Sequence, residues 1–320
     1  MIESSTNALM TRIDLHAHVV TDPYRELLVA PDGTRPFVPP APLDALEANM
    51  VRYAIDAAVI SLGPPGAFLG DQGRANEIAR AGNESIAAIV QASPARFAGL
   101  ALLPLPDVDG TLEEIGDALD RLSLDGVMLL THVGATYLGD PAWDPVLAEL
   151  DRRGAYVFVH PTLPPYTPPL AHHPVWLYEF PFETVRAISQ LVYAGALDRY
   201  PGIRFQFAHL GGAAPFLAHR LASLAEREPA AAAAAPAGAL EYLRRLYYDT
   251  GLSNNAPALA ATREVTEIGH IVFGTDWPYA ALPDGADPAP DLDVLGPGGR
   301  AAVEADNIAT LVPRLVGARA

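Results

Sequence analysis

Ile13-Asp14-Leu15-His16-Ala17-His18 is a short apolar run closing on two histidines one residue apart, and its reading decides what the rest of the chain is expected to be. Arg12 to His16 reads as a strand. Side chains alternate across a strand, so His16 and His18 point the same way, and two imidazoles so placed can share one metal ion. Taken alone, the spacing fits partly exposed strand-end residues equally well.

Working outward, similar apolar, β-branched segments recur at Ala57 to Ser61, Phe97 to Leu102, Gly126 to Leu130, Tyr156 to His160, Arg204 to Ala208, Leu246 to Asp249 and Ile271 to Gly274. Helical patterns separate them at Gly73 to Gln91, Thr111 to Leu122, Trp143 to Arg153, Phe182 to Asp198, Pro215 to Glu226 and Ala256 to Glu267. Such alternation is the signature of a parallel sheet with crossover helices. Eight strands predict an α/β chain closed into a (β/α)8 TIM barrel, with residues 1–320 forming one domain rather than two. The Pro-rich stretch Pro161 to Pro174 follows the fifth strand and is expected over the active-site face, as a lid or as an ordered surface connection. Ala230 to Ala235 is low complexity and is given no function, and Asp284 to Pro297 reads as a loop leading to a last helix near Arg300 to Leu311.

Composition narrows the partners. Half of the 320 residues are hydrophobic and 18% are charged, which excludes a disordered chain. A net charge of −17 repels phosphate backbones and anionic bilayers, so neither nucleic acid nor a membrane is expected as a partner. The same field slows an anionic substrate unless a metal ion or buried Arg reverses the sign locally. There are no cysteines, which removes disulfides, thiolate zinc sites and a cysteine nucleophile, and leaves His, Asp and Glu as ligands. Residues 1–11 carry neither a basic start nor an apolar core of a signal peptide, and no run reaches the ~18 apolar residues of a membrane span, so a cytoplasmic location is expected.

Three further strand ends repeat the pattern of the first: Val157-Phe158-Val159-His160, Phe205-Gln206-Phe207-Ala208-His209 and Phe273-Gly274-Thr275-Asp276. Each sets an ionisable group just beyond an apolar run, where a barrel collects its active site. Any one of them is commonly a hydrogen-bonded core residue. Five converging on one face after strands one, five, six and eight would repel and desolvate one another without a cation, and a divalent metal resolves that cost. Imidazoles with a carboxylate suit Zn2+, while Mn2+ and Fe2+ stay open. His132 follows the fourth strand and is a weaker candidate for the site, His172 and His173 sit on the Pro-rich loop, and His219 and His270 read as structural. Arg12 and Asp14 are assigned to the lower barrel or to support of the ligands.

With these pieces in hand the chain resembles the amidohydrolase superfamily, and within it the branch related to aminocarboxymuconate semialdehyde decarboxylase. The resemblance rests on RIDLHAH at 12–18, FVHPT at 158–162, FAHLGGAAPFLAHR at 207–220, YYDTGLS at 247–253, FGTDWPY at 273–279 and NIATLVPRL at 307–315. The stretches GLALLPLPDVDGTLEEIGDALDRLSLDGVMLLT, YLGDPAWDPVLAELDRRGAYVFVHPT and EFPFETVRAISQLV look closest to 6-methylsalicylate decarboxylase-type members. The resemblance implies that His16, His18, His160 and Asp276 hold one metal, with His209 moving protons or orienting substrate. It also implies that Arg220, eleven residues after His209, reaches a neighbouring subunit's substrate carboxylate, and hence a homodimer or larger homo-oligomer. The exposed helical Arg is the plain alternative.

The implied chemistry is metal-dependent, non-oxidative decarboxylation of a small aromatic acid of the ortho-hydroxybenzoate kind. Asp276 would pass a proton to the ring carbon, and His209 would polarise the ring oxygen or help move protons. Trp176, Tyr178, Phe180, Trp277 and Tyr279, expected in the motif loops, would supply aromatic walls, with Arg220, Trp176 and Trp277 as substrate-binding residues. The rival reading is a hydrolase in which metal-bound water, its pKa lowered to about 7, attacks an amide, a lactone or an activated C–C bond. A third is an idle barrel that only binds a ligand, which the intact His and Asp set argues against.

Overall fold

A computed structural model describes residues 12–166 and 172–317. The reading of residues 1–11 therefore lies outside the described residues, as does the middle of the Pro-rich stretch. Eight strands, β1 (Ile13–His18), β2 (Ala57–Ser61), β3 (Phe97–Leu102), β4 (Gly126–Leu130), β5 (Tyr156–His160), β6 (Arg204–Phe207), β7 (Tyr247–Asp249) and β8 (Ile271–Val272), lie side by side in chain order. All neighbouring pairs are parallel. The ring closes between β8 and β1: Leu15 N donates to Phe273 O at 2.9 Å, His18 N donates to Trp277 O at 2.8 Å, and Ala17 bridges Trp277 in parallel. The barrel expected from the alternating pattern is the fold that forms.

Strand interiors are buried on both faces, since inward residues fill the barrel and outward ones meet the helices. That double burial is why the strands read as unbroken Val/Ile/Leu/Ala runs. The longest crossover helix, Gln72–Ala92, is capped by Asp71, whose Oδ1 accepts from Arg74 N at 2.7 Å. Its Ile86 and Val90 press on Gly99 of β3, where an added Cβ would come within 2.7 Å of Ile86. Glycine at 99 thus sets how closely helix and strand approach.

The helices depart from expectation in part. The sequence pattern predicts a helix over Phe182 to Asp198. The observed helix begins earlier, at Trp176, runs through Pro181 and ends at Tyr193, with Gly195 at φ +71° before a short turn at Ala196–Arg199. Trp176, Tyr178 and Phe180 therefore lie on a helix, not in a loop. Pro181 is held from outside, its carbonyl accepting from Ala213 N at 3.1 Å. Helices Leu43–Arg52 and Ala239–Arg245 and a hairpin pairing His132–Val133 with Thr136–Tyr137 lie outside the sequence expectation. The helix expected near Arg300 starts at Gly296, and a further short helix, Pro313–Gly317, follows it.

Candidate metal centre and its cavity

Strand ends deliver the expected residues to one spot. His16 and His18 come from the end of β1, His160 from the end of β5, and Asp276 from the loop after β8, and one ligand atom from each lies within 4.8 Å of all the others. All four are buried. His16 Nε2 is 3.2 Å from His18 Nε2 and 3.1 Å from Asp276 Oδ1; His18 Nε2 and His160 Nε2 stand 3.3 and 3.8 Å from the same oxygen. His209, after β6, faces the other oxygen, with Nε2 3.2 Å from Asp276 Oδ2.

Each imidazole is aimed by its second nitrogen. His160 Nδ1 is 2.6 Å from Pro161 O, a pure acceptor, so Nδ1 carries the hydrogen and Nε2 offers its lone pair inward. His16 Nδ1 donates to Asp249 Oδ1 at 2.9 Å, and His18 Nδ1 lies 2.9 Å from Ser61 Oγ. This is the arrangement that fixes tautomer and ring angle in histidine metal sites. Gly63, at φ +74°, leaves room for the His18 ring, because a Cβ there would sit 2.8 Å from His18 Nδ1.

The donor set fits a divalent cation. His160 Nε2 and Asp276 Oδ1 are buried and lack any hydrogen-bond partner, although both point into the cluster. Unpaired buried polar atoms are costly, and a shared cation satisfies both. The charges agree. Burial opposes a charge on His16, yet Asp249 and Asp276 outweigh it and lift its pKa to about 10, so the centre favours positive charge. Burial lowers His160 to about 3 and also depresses His18, keeping both in the neutral form a metal requires. Burial would raise Asp276, but His16 and the neighbouring imidazoles hold it ionised well below the usual carboxylate range.

The backbone that presents Asp276 is clamped to β1. Asp14 Oδ1 accepts from His16 N and Thr275 N, each at 3.0 Å, and its Oδ2 accepts from Thr275 Oγ1 at 2.6 Å. Burial raises the Asp14 pKa to about 6 against these donors. Asp276 and His209 both adopt φ +58°, a conformation unfavourable for side-chain-bearing residues, concentrated here at the centre. Asp14 thus braces the backbone that presents His16 and Asp276, whereas Arg12 pairs with Glu304 at 2.8 Å and the Tyr53 carbonyl at 2.5 Å at the start of β1.

Over the cluster opens a cavity of about 550 Å3 whose wall includes His160, Asp276, Trp176, Phe180, Leu252 and Tyr279. Trp176 and Phe180 reach it from the helix that Pro181 interrupts. Trp277 is half-buried against the core, and its carbonyl serves barrel closure. Arg220 is exposed on helix Ala214–Ala222. His132 is buried, bonded to Gly134 O at 2.8 Å and 3.3 Å from Glu183. His172, His173 and His219 are exposed, and His270 stacks on Tyr247.

Two supporting residues were not singled out from the sequence. Asp249, at the end of β7, binds His16 and also accepts from Gln206 Nε2 at 2.8 Å and Gly251 N at 3.0 Å. Ser61 ends β2 against His18. The available signal was positional: a carboxylate and a hydroxyl closing apolar strands, the same pattern that revealed His160.

The profile of a family described as Amidohydrolase matches residues 13–314. The chain is 35% identical over 278 residues to a 6-methylsalicylic acid decarboxylase of Penicillium expansum, covering 85% of this chain and 86% of that one. It is 36% identical over 279 residues to the 6-methylsalicylic acid decarboxylase of Aspergillus aculeatus, covering 84% of each. A crystal structure of 5-carboxyvanillate decarboxylase from Novosphingobium aromaticivorans, complexed with manganese and 4-hydroxy-3-methoxy-5-nitrobenzoic acid, superimposes with a TM-score of 0.81 at 20% identity, covering 96% of this chain and 97% of that one.

Proposed function

Since the chain belongs to the amidohydrolase family, matched from residue 13 to 314, we propose that it is a metal-dependent decarboxylase acting non-oxidatively on a small aromatic acid of the ortho-hydroxybenzoate kind. The 6-methylsalicylic acid decarboxylase relatives support both the reaction and the substrate class. His16, His18 and His160 through Nε2 and Asp276 through Oδ1 would hold the ion. Zn2+ is our first assignment from the ligand types, and the manganese in the 5-carboxyvanillate enzyme supports Mn2+ as the alternative. When bound, the cation would supply Lewis-acid chemistry that draws charge from the substrate.

The protein's own task is to move one proton. Direct loss of CO2 would leave an sp2 carbanion without a resonance outlet, so the carbon bearing the carboxylate must be protonated first. One observation carries this reading: Asp276 faces two partners, with Oδ1 on the three imidazoles and Oδ2 on His209. The His209 Nε2 proton passes to Asp276 Oδ2 and from there to the ring carbon. The C–CO2 bond then breaks, its electron pair restores the aromatic ring, and solvent returns a proton to His209. Trp176 and Phe180 wall the cavity with apolar surface, which desolvates the departing carboxylate.

No lysine or arginine of this chain lines the cavity among the described residues, and Arg220 points to solvent. We therefore keep Arg220 as a substrate-carboxylate ligand offered to a second copy, which makes the working enzyme at least a homodimer. The deciding experiment supplies the metal-loaded protein with a panel of ortho-hydroxybenzoates and follows CO2. Release from at least one, abolished in Asp276→Asn, is expected. Turnover of amides or lactones with no CO2 from any benzoate would overturn the reading in favour of a hydrolase.

A further inference from the structure

The cavity over the cluster holds a polar group that neither the ligand set nor the proton path uses, the phenol of Tyr279. Tyr279 N donates to Asp276 O at 2.8 Å, closing a tight turn on the cluster residue three positions earlier. The ring meets His18 edge to face, with centroids 5.4 Å apart and planes at 80°, which fixes it beside a ligand. Its hydroxyl has one protein acceptor, Pro64 O, at 3.3 Å. Phenolic O–H···O bonds are commonly 2.7–2.8 Å long, so this donor is held in place but poorly spent.

The rest of the wall explains why it matters. Phe37, Leu163, Phe180 and Leu252 are apolar, and no cationic side chain of the chain faces the cavity among the described residues. An aromatic acid brings a carboxylate and an ortho oxygen into this space, and a buried anionic oxygen without a donor is costly. The phenol is a neutral O–H donor and adds no negative charge to the cavity.

Resting on the decarboxylase reading above, we propose that the Tyr279 hydroxyl is a substrate-anchoring donor that leaves Pro64 O for an oxygen of the aromatic acid. A donor to an anionic acceptor is worth roughly tenfold or more in affinity.

The test uses Tyr279→Phe, which keeps the ring against His18. Metal-loaded wild type and variant are titrated with two unreactive probes, phenol, which has the ring oxygen and no carboxylate, and benzoate, which has the reverse. Metal content and melting temperature are followed alongside. About tenfold weaker binding of at least one probe, with metal content unchanged, is expected, and the probe affected names the oxygen. Both affinities within threefold of wild type would overturn the proposal, and so would a loss that merely tracks lost metal. Because the probes need no turnover, this result stands apart from the CO2 assay: a wild type that decarboxylates nothing sinks the decarboxylase reading, whatever Tyr279→Phe does to the probes.

Discussion

Asp249 Oδ1 sits 2.9 Å from His16 Nδ1 with both side chains sealed from solvent, which makes a carboxylate on β7 the partner that aims a histidine on β1. The charged acceptor does more than orient: it makes the imidazole a stronger donor to a cation. Asp249→Asn keeps the shape and removes the charge. It should weaken metal affinity by roughly 10–100-fold while leaving the circular dichroism spectrum unchanged. Competition against a chromophoric chelator measures it, and an affinity equal to wild type would show that Asp249 only fills space.

His209 hydrogen-bonds the cluster through Asp276 Oδ2, not through the oxygen shared by the imidazoles. His209→Ala should therefore retain its metal and lose about 10²–10⁴-fold in kcat. Elemental analysis beside the CO2 assay separates the two effects. A variant that loses metal and activity together would make His209 a ligand.

Removing the ion should abolish turnover and lower stability at once, because the cluster contains atoms such as His160 Nε2 that no protein group satisfies. Dialysis against a chelator is expected to lower the melting temperature, and returning metal to about 100 times its Kd should restore about 2.7 kcal/mol. Zn2+ and Mn2+ added separately to the stripped protein identify which restores CO2 release. A melting curve indifferent to both would leave the cluster without a cation to hold.

Asp14 is the clamp between β1 and the Asp276 loop, accepting from His16 N, Thr275 N and Thr275 Oγ1. Asp14→Ala orphans those buried donors and should cost roughly 3 kcal/mol. Asp14→Asn retains an acceptor for the two backbone groups and should recover most of that loss. Urea titrations of the metal-free proteins compare them, and equal destabilisation by Ala and Asn would mean that the charge, not the hydrogen bonding, holds the loop.

The barrel was readable because its strands are buried on both faces, so β2 through β5 announce themselves as apolar runs with the boundaries that form. The candidate ligands stood out for a related reason: His160 and Asp276 are polar groups ending such runs, where burial needs a partner. Asp249 ends β7 in the same way, yet its role depends on which strand stands beside it across the barrel, and that is a property of closure rather than of local sequence. Helix Trp176–Tyr193 starts six residues before the expected Phe182 and carries Pro181 inside it, a position where proline is disfavoured. That start moves Trp176 and Phe180 from a loop to a rigid cavity wall.

Arg220 raises a question that one chain cannot answer by itself. It is exposed on helix Ala214–Ala222, and the cavity of its own chain contains no cation from the protein among the described residues. If Arg220 serves a second copy, then Arg220→Ala and His209→Ala are each nearly inactive but damage different partners of one shared site. Unfolded together and refolded in equal amounts, they should yield mixed dimers in which one of the two sites has both residues, so about a quarter of all sites recover. Light scattering establishes the dimer, and CO2 release reads the recovery. A mixture no more active than its parents, from protein that does refold as dimers, would return Arg220 to the ordinary exposed surface.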